Sequence, residues 1–132
     1  MTRRIISTPE APGSPSYVKG AFAYSQAVVA AGLVFVAGQG PFDPSDGSVV
    51  GTTIQEQSRQ CLTNIEAILV AAGSSMAKVV NATFFLRDAA DFPGMNEEWV
   101  QWFPVDPPSR QGARHWADVP ELRVAFAVVA EA

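Results

Sequence analysis

The hydrophobic pattern of this chain switches repeatedly between strand and helix periods, and this limits its fold more than any other feature. Up to residue 50 the apolar residues come in short β-compatible runs, and from Thr53 to Gly73 they recur every three or four positions. The run from Lys78 to Leu86, KVVNATFFL, is β-branched and aromatic again. A chain that interleaves the two periods in this way builds a sheet with helices laid on it, rather than a helical bundle or a sandwich of sheets.

The segments can be placed from their punctuation. Residues 3–7, RRIIS, read as a first edge strand, and Pro9, Pro12, Gly13 and Pro15 break the pattern after them. Ala21 to Val29 and Leu33 to Ala37 read as strands two and three, joined by a hairpin turn at Ala31-Gly32. PFDPSDG at 41–47 reads as a surface turn, followed by a short extended VVG. Thr53-x-x-Glu56 has the form of a capping box, and Ile54, Cys61, Leu62, Ile65, Ile68, Leu69 and Ala72 form a helical stripe that Gly73 closes. Strand four follows at 78–86. Asp88 caps a second helix running to about Phe103, begun late or irregularly because of Pro93 and Gly94 and ended by Pro104, Pro107 and Pro108. Residues 111–117 and 122–130 read as the last two strands, with Pro120 in the turn between them. In the final strand Leu122, Val124, Phe126 and Val128 face one way, and Arg123, Ala125, Ala127 and Val129 the other.

The order β-β-β-α-β-α-β-β over residues 1–132 predicts one α/β (α+β) domain, a mixed sheet of six strands with both helices packed on one face. With 48% hydrophobic and only 17% charged residues, the polar coat is too thin to cover a second sheet face, which predicts an oligomer that does so. The formal net charge is −4, and the longest basic run is Arg3-Arg4, which argues against a nucleic-acid partner. No apolar stretch approaches the ~20 residues of a membrane-spanning helix, and the N-terminal residues lack the apolar core of a signal peptide. One cysteine, Cys61, allows no intrachain disulfide, and with one histidine, His115, it makes a His/Cys metal site implausible. The expectation is a cytoplasmic protein without metal or cofactor. Cys61 falls on the apolar helix face and is read as core packing, and Trp99, Trp102 and Trp116 as core or interface anchors, the alternative being walls of an apolar substrate pocket. Asp118 and Glu121 fall at a turn and are read as solvated.

Three blocks carry a resemblance to a known family: AYSQAVVAAGLVFVAGQGPFDPSDGSVV at 23–50, QSRQCLTNIEAILVAAGSSMAKVVNATFFLRDAADFPGMNEEW at 57–99, and Pro108-Ser109-Arg110, whose arginine lies fourteen residues beyond Asn96. Together they resemble the reactive-intermediate (imine/enamine) deaminase family, the RidA/YjgF-like proteins. The resemblance implies a chorismate-mutase-like fold and a homotrimer with intersubunit sites. It also implies cofactor-free hydrolysis of 2-imino or 2-enamino acids to 2-oxo acids and ammonia. It makes Arg110 the clamp on the substrate carboxylate, Tyr24 a pocket wall, the backbone at Ala37 and Gly38 the group that orients imine or water, and Asn96 a support for the site across the subunit boundary. A guanidinium grips a carboxylate at two points, and an imine is electrophilic enough that positioning and one proton transfer suffice.

Some positions depart from the family pattern. Where active members carry a water-activating glutamate in the last strand, this chain has Ala127, and two residues beyond Arg110 it has Gly112. There is one residue more between Arg110 and Pro120, and Phe22-Ala23 precedes Tyr24 in place of glycine-proline. His115, with an unperturbed pKa of about 6.5, is the candidate to replace the missing base, the alternative being a structural role on its strand.

Overall fold

The computed structural model describes residues 2–13, 23–114 and 119–132. Among these, six strands form one sheet: β1 (Arg4–Ile6), β2 (Ala27–Ala30), β3 (Leu33–Gln39), β4 (Val79–Leu86), β5 (Ser109–Arg114) and β6 (Val124–Glu131). Their spatial order is β1-β2-β3-β6-β4-β5, antiparallel throughout except for the parallel pair β4–β5. The helices are α1 (Ile54–Ala71) and α2 (Phe92–Trp102), with single 3-10 turns at Met76–Lys78 and Ala89–Asp91.

The local chemistry explains these boundaries. The β2–β3 hairpin turns at Ala31 and Gly32, both at positive φ (54° and 76°), the backbone that matches the twist of paired strands. β2 is shorter than the sequence suggests, because residues 23–26 do not join the ladder and Gln26 bonds sideways instead. Its buried amide accepts from Thr8 N and donates to the carbonyls of Thr8, Ala11 and Pro12, tying down the segment after β1. The turn at 41–47 closes with Asp43 N–H on the Ser48 carbonyl, and Phe42 pairs with Val49 in an isolated bridge. At the start of α1 the capping box is complete, with Thr53 Oγ1 accepting from Glu56 N and Glu56 accepting in return from Thr53 N. Asp88 caps the 3-10 turn rather than α2 itself, and Pro93 stands in the first turn of α2, where a missing N–H costs nothing. β5 begins two residues earlier than the periodicity suggests, at Ser109, and residues 115–117 of the expected strand lie outside the described part.

Both helices cover the same face of the sheet. Val34, Val36, Ala82, Val124, Phe126, Val128 and Ala130 meet Cys61, Leu62, Ile65, Ile68, Leu69, Met95 and Trp99 in one buried cluster. Three polar side chains sit in this core as staples. Gln57 donates to the carbonyls of Gly51 and Glu121 and accepts from Arg123 N, and Asn64 donates to the carbonyls of Gly40 and Phe42. Glu98, 3% exposed, accepts from Arg59 on α1 and from Trp102 Nε1, both at 2.8 Å, and so fixes the rotation of α2 against α1. Among the described residues the opposite face carries no helix. Val28, Phe35 and Val129 form one cross-strand row on it, and Ala127, Thr83 and Gln111 another, with Phe35 left 45% exposed.

Candidate functional site

Arg110 lies on the edge strand β5, and its orientation follows from the register of that strand. Asn81 Nδ2 donates to Ser109 Oγ at 2.8 Å and to Gln111 Oε1 at 3.0 Å, and Ser109 Oγ donates to the Val80 carbonyl at 3.1 Å. Gln111 Nε2 completes the ladder on Asn81 Oδ1 (2.9 Å) and Thr83 Oγ1 (2.6 Å). These polar contacts all lie on the open face, so they hold the intervening Arg110 on the helix-covered face. A slip of one residue would reverse it.

There the guanidinium is packed by aromatic rings. Its Cζ lies 5.0 Å from the Trp99 ring centroid, 5.1 Å from Phe84 and 5.5 Å from Phe92. Each is within the range at which a ring face attracts a cation. Phe92 and Trp99 are seven residues apart on α2 and therefore on one side of it, the side whose rotation Glu98 fixes one position away. The side chain makes no ion pair among the described residues, where the two salt bridges are Arg59–Glu98 and Arg123–Asp91. Its Nη1 is buried and donates to nothing among the described residues, and burial lowers the pKa of the group from its usual value. A carboxylate would supply such a cation with both the missing acceptor and a counter-charge.

Asn96 belongs to the same neighbourhood. It lies four residues after Phe92 and three before Trp99 on α2, and its Oδ1 is buried without a hydrogen-bond partner. An unpaired donor on β5 and an unpaired acceptor on α2 thus occur on two elements that meet at Phe92 and Trp99.

The other residues singled out in the sequence lie elsewhere. Arg110 shares a cross-strand row with Ala82, Val128 and Val36. Ala37 and Gly38 follow Val36 in a bulge, with neither paired to β6 and Ala37 N–H bonded instead to the Gln26 carbonyl. They are at the height of Arg110 but three strand spacings away, roughly 14 Å. Tyr24, half exposed, precedes β2. Ala127 pairs with Thr83 on the face opposite Arg110, and Glu131 is the one carboxylate within β6. His115, Trp116 and Asp118 lie outside the described residues. Cys61 is fully buried, with Sγ toward the Val124 carbonyl and its thiol pKa pushed well up by burial. Trp99 is both core and platform, stacked on Phe126 at 5.6 Å as well as supporting Arg110.

Two platform residues, Phe84 and Phe92, were not among the site residues read from the sequence, although Asp91-Phe92 belongs to the motifs that carry the resemblance. The clue was Gly112. A Cβ there would stand 2.0 Å from Phe84 Cζ, so the glycine is the space the Phe84 ring occupies beside Arg110. Among the described residues no three His, Cys, Asp or Glu side chains gather as a metal site, and no helix is long and apolar enough to cross a membrane.

Comparison with known proteins agrees with this architecture. The family model described as Endoribonuclease L-PSP matches residues 16–131. A RutC family protein of Pyrococcus horikoshii is 46% identical over 66% of this chain and 69% of its own length. The human protein named 2-iminobutanoate/2-iminopropanoate deaminase is 38% identical over 83% of this chain and 76% of its own. The crystal structure of a Rid family protein of unknown function from Yersinia pestis superposes with a TM-score of 0.88 at 29% identity, covering 99% of this chain and all of that one. The chain therefore belongs to the Endoribonuclease L-PSP family, that of the RidA/YjgF-like proteins.

Proposed function

We propose that this protein hydrolyses 2-imino or 2-enamino acids, or a related unstable carboxylate-bearing intermediate, to a 2-oxo acid and ammonia. The observation that carries the reading is Arg110, whose guanidinium stacks on three rings with one buried donor, Nη1, facing no acceptor among the described residues. The pairing of that donor with the unpaired Asn96 oxygen matches a 2-imino acid, which offers a carboxylate to the one and an N–H to the other. An enamine first takes a proton at its β-carbon and gives one up from nitrogen to become the imine. Water then adds to the C=N carbon and passes one proton to the nitrogen; the hydroxyl of the tetrahedral adduct passes a second to it as the C–N bond breaks, leaving the carbonyl and ammonia. The protein's part is to anchor the carboxylate, orient the imine and shuttle these protons from oxygen to nitrogen.

The site is completed by a second copy of the chain in a homotrimer. The roughly 14 Å between β5 and β3 exceeds what a small imino acid spans, so Ala37, Gly38 and Tyr24 serve the Arg110 of a neighbouring subunit. His115 is the group that takes up and returns the proton, in place of the carboxylate that Ala127 does not supply. This predicts a rate that falls below about pH 6 to 7 as the imidazole becomes charged. A flat pH profile, or full activity in His115→Ala, excludes the assignment. RNA is a poorer fit as ligand than a small carboxylate, since the chain carries a net charge of −4.

A second reading has specific support: with alanine at 125 and 127 on β6, the same cleft could hold a small carboxylate, such as a 2-oxo acid, without turnover. Ammonia release from freshly generated 2-aminoacrylate and longer 2-imino acids separates the two. Release that Arg110→Ala abolishes supports the hydrolase, and binding without release supports the second reading.

A further inference from the structure

We infer that the groove beside Arg110 is the subsite for the substrate's side chain, and that it selects a bulky apolar group, aromatic above all. The inference rests on the proposed reading of Arg110 as carboxylate anchor. The groove has a volume of about 1060 Å³, and Phe84, Leu86, Ala89, Phe92 and Gly112 line it. Phe84 and Phe92 are also two of the three rings under the guanidinium, so anchor and groove share a wall. Gly112 follows Arg110 by two residues on the same face of β5, roughly 6.6 Å along the strand. A 2-imino acid held at Arg110 by its carboxylate has its remaining atoms within reach of these rings.

The wall is built for apolar contact. The Phe84 ring lies over the bare backbone at Gly112, in the space any other residue there would fill with a side chain. Its centroid is 5.6 Å from that of Phe92, with the rings tilted by 50°, an arrangement that offers an incoming ring both a face and an edge. Of the polar residues along the groove, Arg87 is spent on the carbonyls of Leu122 (2.7 Å) and Val119 (2.6 Å), and Asp88 on the Ala90 N–H (2.9 Å). Arg114 is exposed, and in water it discriminates little.

The test is a comparison of imines generated in place by an L-amino acid oxidase from alanine, leucine, phenylalanine and glutamate, following the acceleration of their decay over buffer. The phenylalanine-derived imine is expected to exceed the alanine-derived one in kcat/KM by at least about tenfold. Phe84→Val, which removes the wall, and Ala89→Trp, which fills the groove from an exposed 3-10 turn, are each expected to bring that ratio close to one. Because every substrate in the series has the same imino carboxylate, any loss of Arg110 seating in Phe84→Val cancels in the ratio. Equal kcat/KM across the series, a preference for the alanine or glutamate imine, or a ratio unmoved in both variants overturns the subsite while leaving an Arg110-dependent deaminase intact. If no imine decays faster, or if Arg110→Ala decays them equally well, the underlying reading fails and the subsite with it.

Discussion

A guanidinium stacked on Trp99, Phe84 and Phe92 has lost part of its hydration, and one of its N–H groups has gained nothing in exchange. What holds it there is ring contact, worth about 2 kcal/mol where it is well desolvated, and a carboxylate would add a charge-assisted bond to the orphaned donor. Lysine reproduces neither the planar fork nor the stacking. Arg110→Lys is therefore expected to weaken binding of a 2-oxo acid about tenfold or more in a calorimetric titration, and unchanged affinity would mean that a bare positive charge is enough. Gly112→Ala places a methyl group against the Phe84 ring and should cost about 1–3 kcal/mol in chemical denaturation, together with a loss of carboxylate affinity as the ring shifts under Arg110. Retention of both would mean that the ring does not seat the arginine. Arg110 was legible in the sequence from Pro108-Ser109-Arg110 and its distance from Asn96. Phe84 and Phe92 were not, because their role depends on a strand, a helix and an edge strand meeting in space, and each alone reads as an ordinary apolar residue. Trp99 was read as a core or interface anchor with a pocket wall as the alternative, and it both packs on Phe126 and supports Arg110.

The elements around these residues are held by polar contacts more than by propensity. Thr53 caps α1, and its replacement by alanine should cost about 1 kcal/mol of stability. Glu56, the other half of the capping box, has its pKa held below the ordinary carboxylate value by its bonds from Thr53. The box thus stabilises the fold above the ordinary glutamate pKa, and this contribution is lost as pH falls through the depressed value. The stability difference between wild type and Glu56→Ala should therefore shrink below about pH 4 in urea titrations, and a difference constant with pH would contradict the linkage. At the site, the ladder of Asn81, Ser109, Gln111 and Thr83 sets the register of β5. Asn81→Ala is expected to speed amide exchange along Ser109–Arg114 and to weaken carboxylate binding without touching the ligand. The start of α1, the hairpin and the alternation of β6 were plain in the sequence because each is fixed by neighbours in the chain, whereas Asp88 pointed to a cap for α2 and caps the 3-10 turn before it. The staples at Gln57, Asn64 and Glu98 were missed. A trace of them was present, since Gln57 and Ser58 occupy the turn of the α1 stripe where the periodicity asks for apolar residues, and both are buried.

At the scale of the whole molecule, the candidate residues divide between two halves of the sheet. Arg110 and Asn96 lie at the β5 edge with α2, and Tyr24, Ala37 and Gly38 at the β2–β3 side, with β6 and β4 between them. The sequence could name these residues and the mixed sheet, but not their separation, which depends on β6 inserting between β3 and β4. The open face explains why a second copy is expected, as Phe35, Val28, Val129 and Ala127 form an apolar surface on it that no helix among the described residues covers. Light scattering at micromolar concentration should give a trimer, and Phe35→Glu should dissociate it and abolish activity together. A monomeric wild type would remove the intersubunit site. The most direct measurement is a calorimetric titration of 2-oxobutanoate, a stable product of the proposed reaction, into wild type and Arg110→Ala. The expected result is one ligand per chain, with affinity at least about 30-fold lower in the variant, the change that follows from removing one partner of a buried charge pair. Equal affinity in the two proteins would mean that the carboxylate is held elsewhere and that the unpaired guanidinium of Arg110 is a structural feature of the fold.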